Sequence, residues 1–517
     1  MEIKSLFFLL IVSVFISACN ETEIDQKPNI IYILADDLGY GELGCYGQDK
    51  IETPNIDKLA AGGMLFTNHY SGAPVCAPSR CVLLTGLHTG HAIIRSNDEW
   101  ADRGDVWSYD AMIEDSTLEG QRPMPDNTLT IAQLLKSAGY KTAMTGKWGL
   151  GAPQTNSTPT NMGFDFFCGY NCQRIAHTYY PVHLYKNNTR IYLGNDTVAP
   201  HEKLDVQSDP YAAESYERYN LQSYAPDRSF DEMMDFIASY EGEPFFWYWA
   251  TPIPHMPLQA PQKWVNYYQN KFGDEEPYMG DKGYYPHRYP KAAYAAMISY
   301  LDEKVGELVQ TLKENGTYDN TLIIFTSDNG PTYNGGTESE WFNSAGPFRS
   351  AYGYGKGFLH EGGIRVPMIA SWPKKIKAGS QSDHISAFWD VLPTLCDISG
   401  TQIPADIDGI SFLPTLLNNG DQKEHDYLYW EFPSYGGQQA VRMGPWKALR
   451  KNILKGNLDI ELYNLDDDPQ EKSNVAKHFP EVFNQMSKIL REAHSEADNS
   501  KFRMKALGDS MGGVNNN

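Results

Sequence analysis

Two short polar clusters stand out for the chemistry they could perform. Asp36-Asp37 follows the apolar run Ile30–Leu34, and Asp328-Asn329 follows Leu322–Thr326. The four side chains offer hard oxygen donors, which suit Ca2+ or Mg2+ and argue against Zn2+. One such pair alone more often caps a helix or closes a turn. Here two further runs also end in reactive residues: Lys147 follows Lys141–Thr145, and His255 follows Phe245–Ala250. In open α/β sheets ligands bind beyond the carboxyl ends of strands, so four such ends aimed at one region define a candidate site.

The elements that must position these residues are expected to be β/α units. Short apolar runs alternate with amphipathic stretches, which predicts an α/β fold with a mixed, mainly parallel sheet between helices. Val366–Ser371 is a further candidate strand. The clearest helix is Ala292–Glu314, with Leu301, Val305, Leu308, Val309 and Leu312 at helical spacing and Gly316 placed to end it. After Gly420 the texture changes. Gln439–Leu449 and Leu458–Leu465 read as antiparallel strands, and Glu481–Ser495 reads as a helix. The 517 residues exceed a comfortable single core. The division expected is a catalytic domain at 28–420, a small α+β domain at 421–505 with an antiparallel sheet, and a flexible tail at 506–517.

The N-terminus reads as an export signal over 1–19. Lys4 is the charged region, Leu6–Ile16 is an apolar run too short to span a bilayer comfortably, and small residues lead into Cys19. This resembles a bacterial lipobox, which implies lipidation of Cys19, a polar tether at 20–27, and attachment to a membrane by lipid alone, in the periplasm or at the cell surface. The remaining six cysteines are too scattered for a disulfide scaffold in a chain this long; Cys168 and Cys172 are close enough in sequence to pair, which spacing alone does not decide. A net charge of −22 argues against nucleic acid as a partner. It also means that an anionic substrate would need a locally positive pocket, which a dication with Lys and Arg supplies.

The segment Cys76-Ala77-Pro78-Ser79-Arg80, with Leu84-Thr85-Gly86 behind it, resembles the signature of type I, formylglycine-dependent sulfatases. The resemblance extends through Asn29–Gly39, Thr145–Trp148, Thr251–Leu258, Thr326–Gly330, Gly355–Gly357 and Glu361–Pro367. It implies an alkaline-phosphatase-like fold and a sulfuric ester hydrolase in which a maturation enzyme oxidises Cys76 to formylglycine. The aldehyde hydrate offers two hydroxyls on one carbon: one takes the sulfuryl group, and the other re-forms the carbonyl and expels sulfate. The resemblance further implies that Asp36, Asp37, Asp328 and Asn329 hold the metal. Arg80 would brace the nucleophile and the aspartates, Lys147 and Lys356 would contact sulfate oxygens, and His255 would protonate the leaving oxygen.

Many members of that family carry a histidine at the position of Gly149. Its absence leaves the base for sulfate release unassigned, with His177 the candidate replacement. Substrate-lining segments are expected at His91–Asn97, Asn171–Tyr180 and Glu338–Tyr354, which makes His177, Arg95 and Asn97 candidate substrate-binding residues. The substrate expected is a sulfated polysaccharide built from galactose or hexosamine units. The rival readings are a phosphonate or phosphate ester hydrolase of the same superfamily, and a surface lipoprotein that binds glycans without catalysis.

Overall fold

A computed structural model describes residues 26–239 and 242–510. The expected signal at 1–19 with Cys19, the expected tether at 20–27 up to residue 25, and the end of the tail at 511–517 lie outside the described residues. Strand β1 (Asn29–Ala35) is buried along its whole length. It pairs in parallel with β3 (Phe245–Ala250) on one side and β4 (Thr321–Ser327) on the other. β2 (Lys141–Lys147) pairs in parallel with β3. A strand with parallel neighbours and both faces covered carries an unbroken apolar run, which is why these strands were legible as such.

The four strands form the centre of a ten-stranded sheet in the order β4-β1-β3-β2. Beyond β4, strand β5 (Met368–Ser371) runs antiparallel. Alternate residues of β1 enter different cores. Ile30, Tyr32 and Leu34 pack with Val82, Leu83 and Leu84 of helix α1 (Cys76–Thr85). Ile31 and Ile33 pack with Leu301, Val305 and Leu308 of helix α2 (Pro290–Glu314). Pro290 occupies the first turn of α2, where its missing N–H costs nothing, and Gly316 takes a left-handed φ of 68° just past the end. Among the described residues no helix is long and apolar enough to cross a membrane.

The C-terminal part builds a four-stranded antiparallel sheet from β6 (Leu428–Phe432), β7 (Gln438–Met443), β8 (Trp446–Lys451) and β9 (Glu461–Asn464). The single strand expected over Gln439–Leu449 is a hairpin that turns at Gly444, where φ is 55°. Helix α3 (Pro480–Glu492) lays Met486 and Leu490 on one face of this sheet, against Tyr429, Val441 and Leu462. The other face of β6 sends Leu428, Trp430 and Phe432 into the core of the large sheet. The two sheets therefore share a hydrophobic core.

Two expectations need correction, and the open question of Cys168 and Cys172 is settled. Arg95 does not face a substrate. It is 3% exposed and ion-pairs with Glu431 of β6, while its Nη1 also donates to the Ser495 carbonyl (2.7 Å). The flexible tail does not begin at 506: Asp509 accepts from His494 Nε2 (2.9 Å) and from the Met504 amide (2.6 Å), which pins the chain through that point. Cys168 and Cys172 are both buried free thiols.

Removing Arg95 would take one of two basic partners from the buried Glu431 carboxylate, which keeps His494 and the Tyr429 hydroxyl. Arg95→Met is expected to cost about 1–3 kcal/mol in chemical denaturation. KM for a small soluble substrate should stay within about twofold of the parent enzyme; a stable variant with a raised KM would restore Arg95 to the binding site.

Candidate active site

The site is assembled where the four central strands end. β1 leads into Asp36 and Asp37, and the Asp36 amide donates to the Ile253 carbonyl (3.0 Å) in the loop after β3. Asp37 holds φ at 66°, uncommon for a residue other than glycine. Its amide donates to Asp328 Oδ1 (3.1 Å), and the Asp328 amide donates to the Ala35 carbonyl (3.0 Å). The ends of β1 and β4 are thus laced together through the residues expected to do chemistry. Gly39 follows in a space where a Cβ would lie 2.1 Å from the Ser344 carbonyl oxygen, so the turn admits only glycine.

α1 delivers the residue expected to act as nucleophile. Cys76 is its first residue, and Asn97 Oδ1 accepts from the Ala77 amide (3.2 Å) just inside the helix. Pro78 falls within the first turn, where a missing N–H is tolerated. Cys76 Sγ lies 3.2 Å from Asp36 Oδ1 and 3.7 Å from Lys356 Nζ. One turn further along, Arg80 points the same way. Its Nε and Nη2 donate to Asp328 Oδ2 (3.1 and 3.0 Å), its Nη2 donates to Asp36 Oδ2 (3.0 Å), and its Nη1 reaches the Lys147 carbonyl at the end of β2.

Lys147 Nζ pairs with Asp36, and Lys356 Nζ pairs with Asp37 Oδ2 at 2.7 Å. His255, from the loop after β3, places Nε2 3.7 Å from Asp37 Oδ2. Its Nδ1 lies 2.6 Å from the Met256 carbonyl, which can only accept. The ring proton therefore sits on Nδ1, and neutral His255 turns a bare Nε2 toward the site. Burial, then Lys356, lowers its pKa to about 4.

Charge is densely packed here. Burial pushes Asp36 up, but Lys147, His255, Arg80 and Lys356 together outweigh it and hold the carboxyl well below the usual range. Burial and then Asp36 push Asp328 the other way, to about 7. Burial and then Asp36 also raise the Cys76 thiol well above its ordinary value, so it stays protonated and is a poor nucleophile as it stands.

The residues fit a hard divalent cation. Asp36, Asp37 and Asp328 converge at 0–1% exposure. Asn329 donates Nδ2 to Asp37 Oδ1 (2.8 Å), while its buried Oδ1 has no hydrogen-bond partner among the described residues. An orphaned buried acceptor beside three carboxylates is what a hard cation would satisfy. Ligand atoms of Asp36, Asp37, Cys76 and His255 all lie within 4.8 Å of one another.

A cavity of about 390 Å³ opens onto this cluster, lined by His255, Lys356, Asn97 and His177 together with Trp107, Tyr333 and Tyr435. His177 stacks on His255, with ring centroids 5.5 Å apart. The segment Glu338–Tyr354 does not line the cavity: Ser344 packs on Gly39, and Trp341 and Phe342 pack on Phe272. His91 turns away to Asp408 (2.9 Å). Sequence reasoning missed Tyr284, Thr332, Tyr333 and Tyr435, which carry no motif and reach the wall by long-range folding. Gly149 has φ of 73°, a left-handed conformation that strains a histidine, and a Cβ there would displace the side chain of Gln173, whose Cγ lies 2.9 Å away.

With this geometry in place, similarity to known proteins is informative. The sulfatase family model matches residues 28–401, and the model for the C-terminal part of N-sulphoglucosamine sulphohydrolase matches 351–496. An N-acetylgalactosamine-6-O-sulfatase of Bacteroides thetaiotaomicron is 30% identical, covering 90% of this chain and 93% of its own. Human arylsulfatase A is also 30% identical, covering 90% and 87%. The crystal structure of Ps i-CgsB superposes with a TM-score of 0.69 at 28% identity, over 91% of this chain and 94% of that one. The chain belongs to the sulfatase family and is a sulfuric ester hydrolase.

The Arg80 fork is the part of this cluster that a point charge cannot imitate. Arg80→Lys is expected to lower divalent-cation affinity about 10- to 100-fold. Metal content after dialysis against graded chelator, read by elemental analysis, would show it; retention equal to the parent protein would remove Arg80 from the metal site.

Proposed function

We propose that this sulfatase removes sulfate esters from a saccharide built of galactose or hexosamine units, using formylglycine at position 76 and Ca2+. The observation that carries the reading is the position of Cys76. Its Sγ touches the acidic cluster and a lysine, as a nucleophile should, yet burial keeps the thiol protonated. Conversion to an aldehyde by a maturation enzyme reconciles placement with reactivity. The hydrate supplies one hydroxyl to take the sulfuryl group and a second to expel sulfate.

Asp36, Asp37, Asp328 and the free Oδ1 of Asn329 would hold Ca2+, which stabilises charge on the sulfate oxygens. A buried site made of protein oxygens favours Ca2+ over Mg2+, which prefers to keep several waters. Lys147 and Lys356 act on the sulfate as fixed positive charges. Arg80 holds Asp36 and Asp328 apart from each other and in register with residue 76. His255 Nε2 is the proton-handling atom on the leaving-group side: it takes up a proton at its bare lone pair and passes it to the sugar oxygen.

Several features support a saccharide. Trp107 and Tyr435 line the cavity while 57% and 49% exposed, which suits stacking on pyranose rings. One relative is named for N-acetylgalactosamine 6-O-sulfate, and Ps i-CgsB was also crystallised with a neocarrahexaose. Export and lipid attachment through Cys19 would bring the enzyme to such polymers.

Mass spectrometry of the peptide Val75–Arg80 from the native source is expected to show residue 76 as formylglycine. Cys76→Ala should abolish sulfate release. Cys76→Ser, with one hydroxyl, should accumulate a sulfated enzyme. EGTA should silence the parent enzyme, and Ca2+ should restore it better than Mg2+. An unmodified cysteine in active native protein would end this reading.

A further inference from the structure

Three histidines meet at the cavity wall, and their hydrogen bonds fix where each proton lies. The Tyr284 amide donates to His201 Nδ1 (2.9 Å), so that nitrogen holds a lone pair and the ring proton of neutral His201 is on Nε2. His201 Nε2 lies 3.1 Å from His177 Nδ1 and must be the donor between them. His177 Nδ1 therefore accepts, and the proton of neutral His177 sits on Nε2, the nitrogen left for the cavity. The start of this relay is held firmly: His201 and Tyr284 both adopt left-handed φ, 72° and 65°. Burial keeps both rings neutral, with His177 lowered well below its ordinary value and His201 lowered to about 4.

This assigns His177 a polarity opposite to that of its neighbour. His255 turns a bare Nε2 toward Asp37, whereas His177, stacked against its face at 14°, offers an N–H. A ring that presents an N–H cannot serve as the base for sulfate release, the role suggested by the missing histidine at Gly149. No hydrogen bond or ion pair joins His177 to the acidic cluster among the described residues; the rings it packs against are His255, His201 and Tyr284. It lies one ring beyond His255, away from Asp37.

Building on the saccharide reading above, we propose that His177 is a specificity-determining residue. It donates Nε2–H to an oxygen on the sugar side of the scissile ester, and His201 is the positioning residue that holds it in that tautomer. The same ring as a bystander would affect all sulfate esters alike, or none.

The test uses formylglycine-containing enzyme and two substrates, a small aryl sulfate and a sulfated galactose or hexosamine oligosaccharide. The quantity read is the ratio of the two kcat/KM values. His177→Ala should lower the ratio of saccharide to aryl sulfate about tenfold, the scale of one lost hydrogen bond. His177→Gln, whose amide nitrogen reproduces the Nε2 donor, should recover most of it. His201→Leu should lower the ratio about twofold, and side-chain 15N NMR should show His177 changing from the Nε2–H form to a mixture. An unchanged ratio in His177→Ala, whether both activities fall or neither does, overturns the proposal. No turnover of either substrate by fully modified parent enzyme would instead overturn the functional reading on which it rests.

Discussion

The guanidinium of Arg80 is the fastening on which the site depends. One planar group reaches the ends of three strands at once, through Asp36 after β1, Asp328 after β4 and the Lys147 carbonyl of β2. It does so from the same helix that carries Cys76, so Cys76 and the acidic residues are referenced to one rigid body. Two carboxylates this buried and this close would repel each other strongly without it; the rise of Asp328 toward neutrality is the residue of that conflict. Arginine suits the task because its fork is pre-organised and always charged, and because it sheds water more readily than an ammonium.

The charges of the cluster nearly cancel. Arg80, Lys147 and Lys356 face Asp36, Asp37 and Asp328, with His255 neutral. A dication added to that set leaves the cavity floor positive. This resolves the apparent contradiction between an overall charge of −22 and an anionic substrate. The acidic exterior sets solubility, while a few buried groups decide what enters the cleft.

Much of this was readable from the chain because the central strands are buried on both faces. Continuous runs such as Phe245–Ala250 announce themselves, and the polar residue that ends each run is conspicuous against them. The ends of β1, β2, β3 and β4 are in fact neighbours in the sheet. What escaped was fixed by distant partners. Arg95 is indistinguishable in sequence from a substrate-binding arginine until Glu431 arrives 336 residues later. Helix α1 shows no amphipathic stripe because all ten of its residues are buried. The tautomer of His177 depends on the backbone of Tyr284, which no pattern of side chains encodes. Glu338–Tyr354 is expected to line the substrate as a loop beyond the strand ends, yet Phe342 and Phe348 are buried and Ser344 backs the turn at Gly39.

The burial of Cys76 bears on the order of events during biosynthesis. In the folded protein the residue is 1% exposed at the base of a fully buried helix, out of reach of another enzyme's catalytic groups. On the reading proposed above, conversion of its thiol by a maturation enzyme would have to precede folding of that stretch. The cluster around residue 76 is complete only once Arg80 meets Asp328, which lies 248 residues further along the chain. If residue 76 is converted as proposed, the interval between their synthesis is when the segment is still accessible. On that reading, a molecule that folded unconverted would be sealed in an inert form.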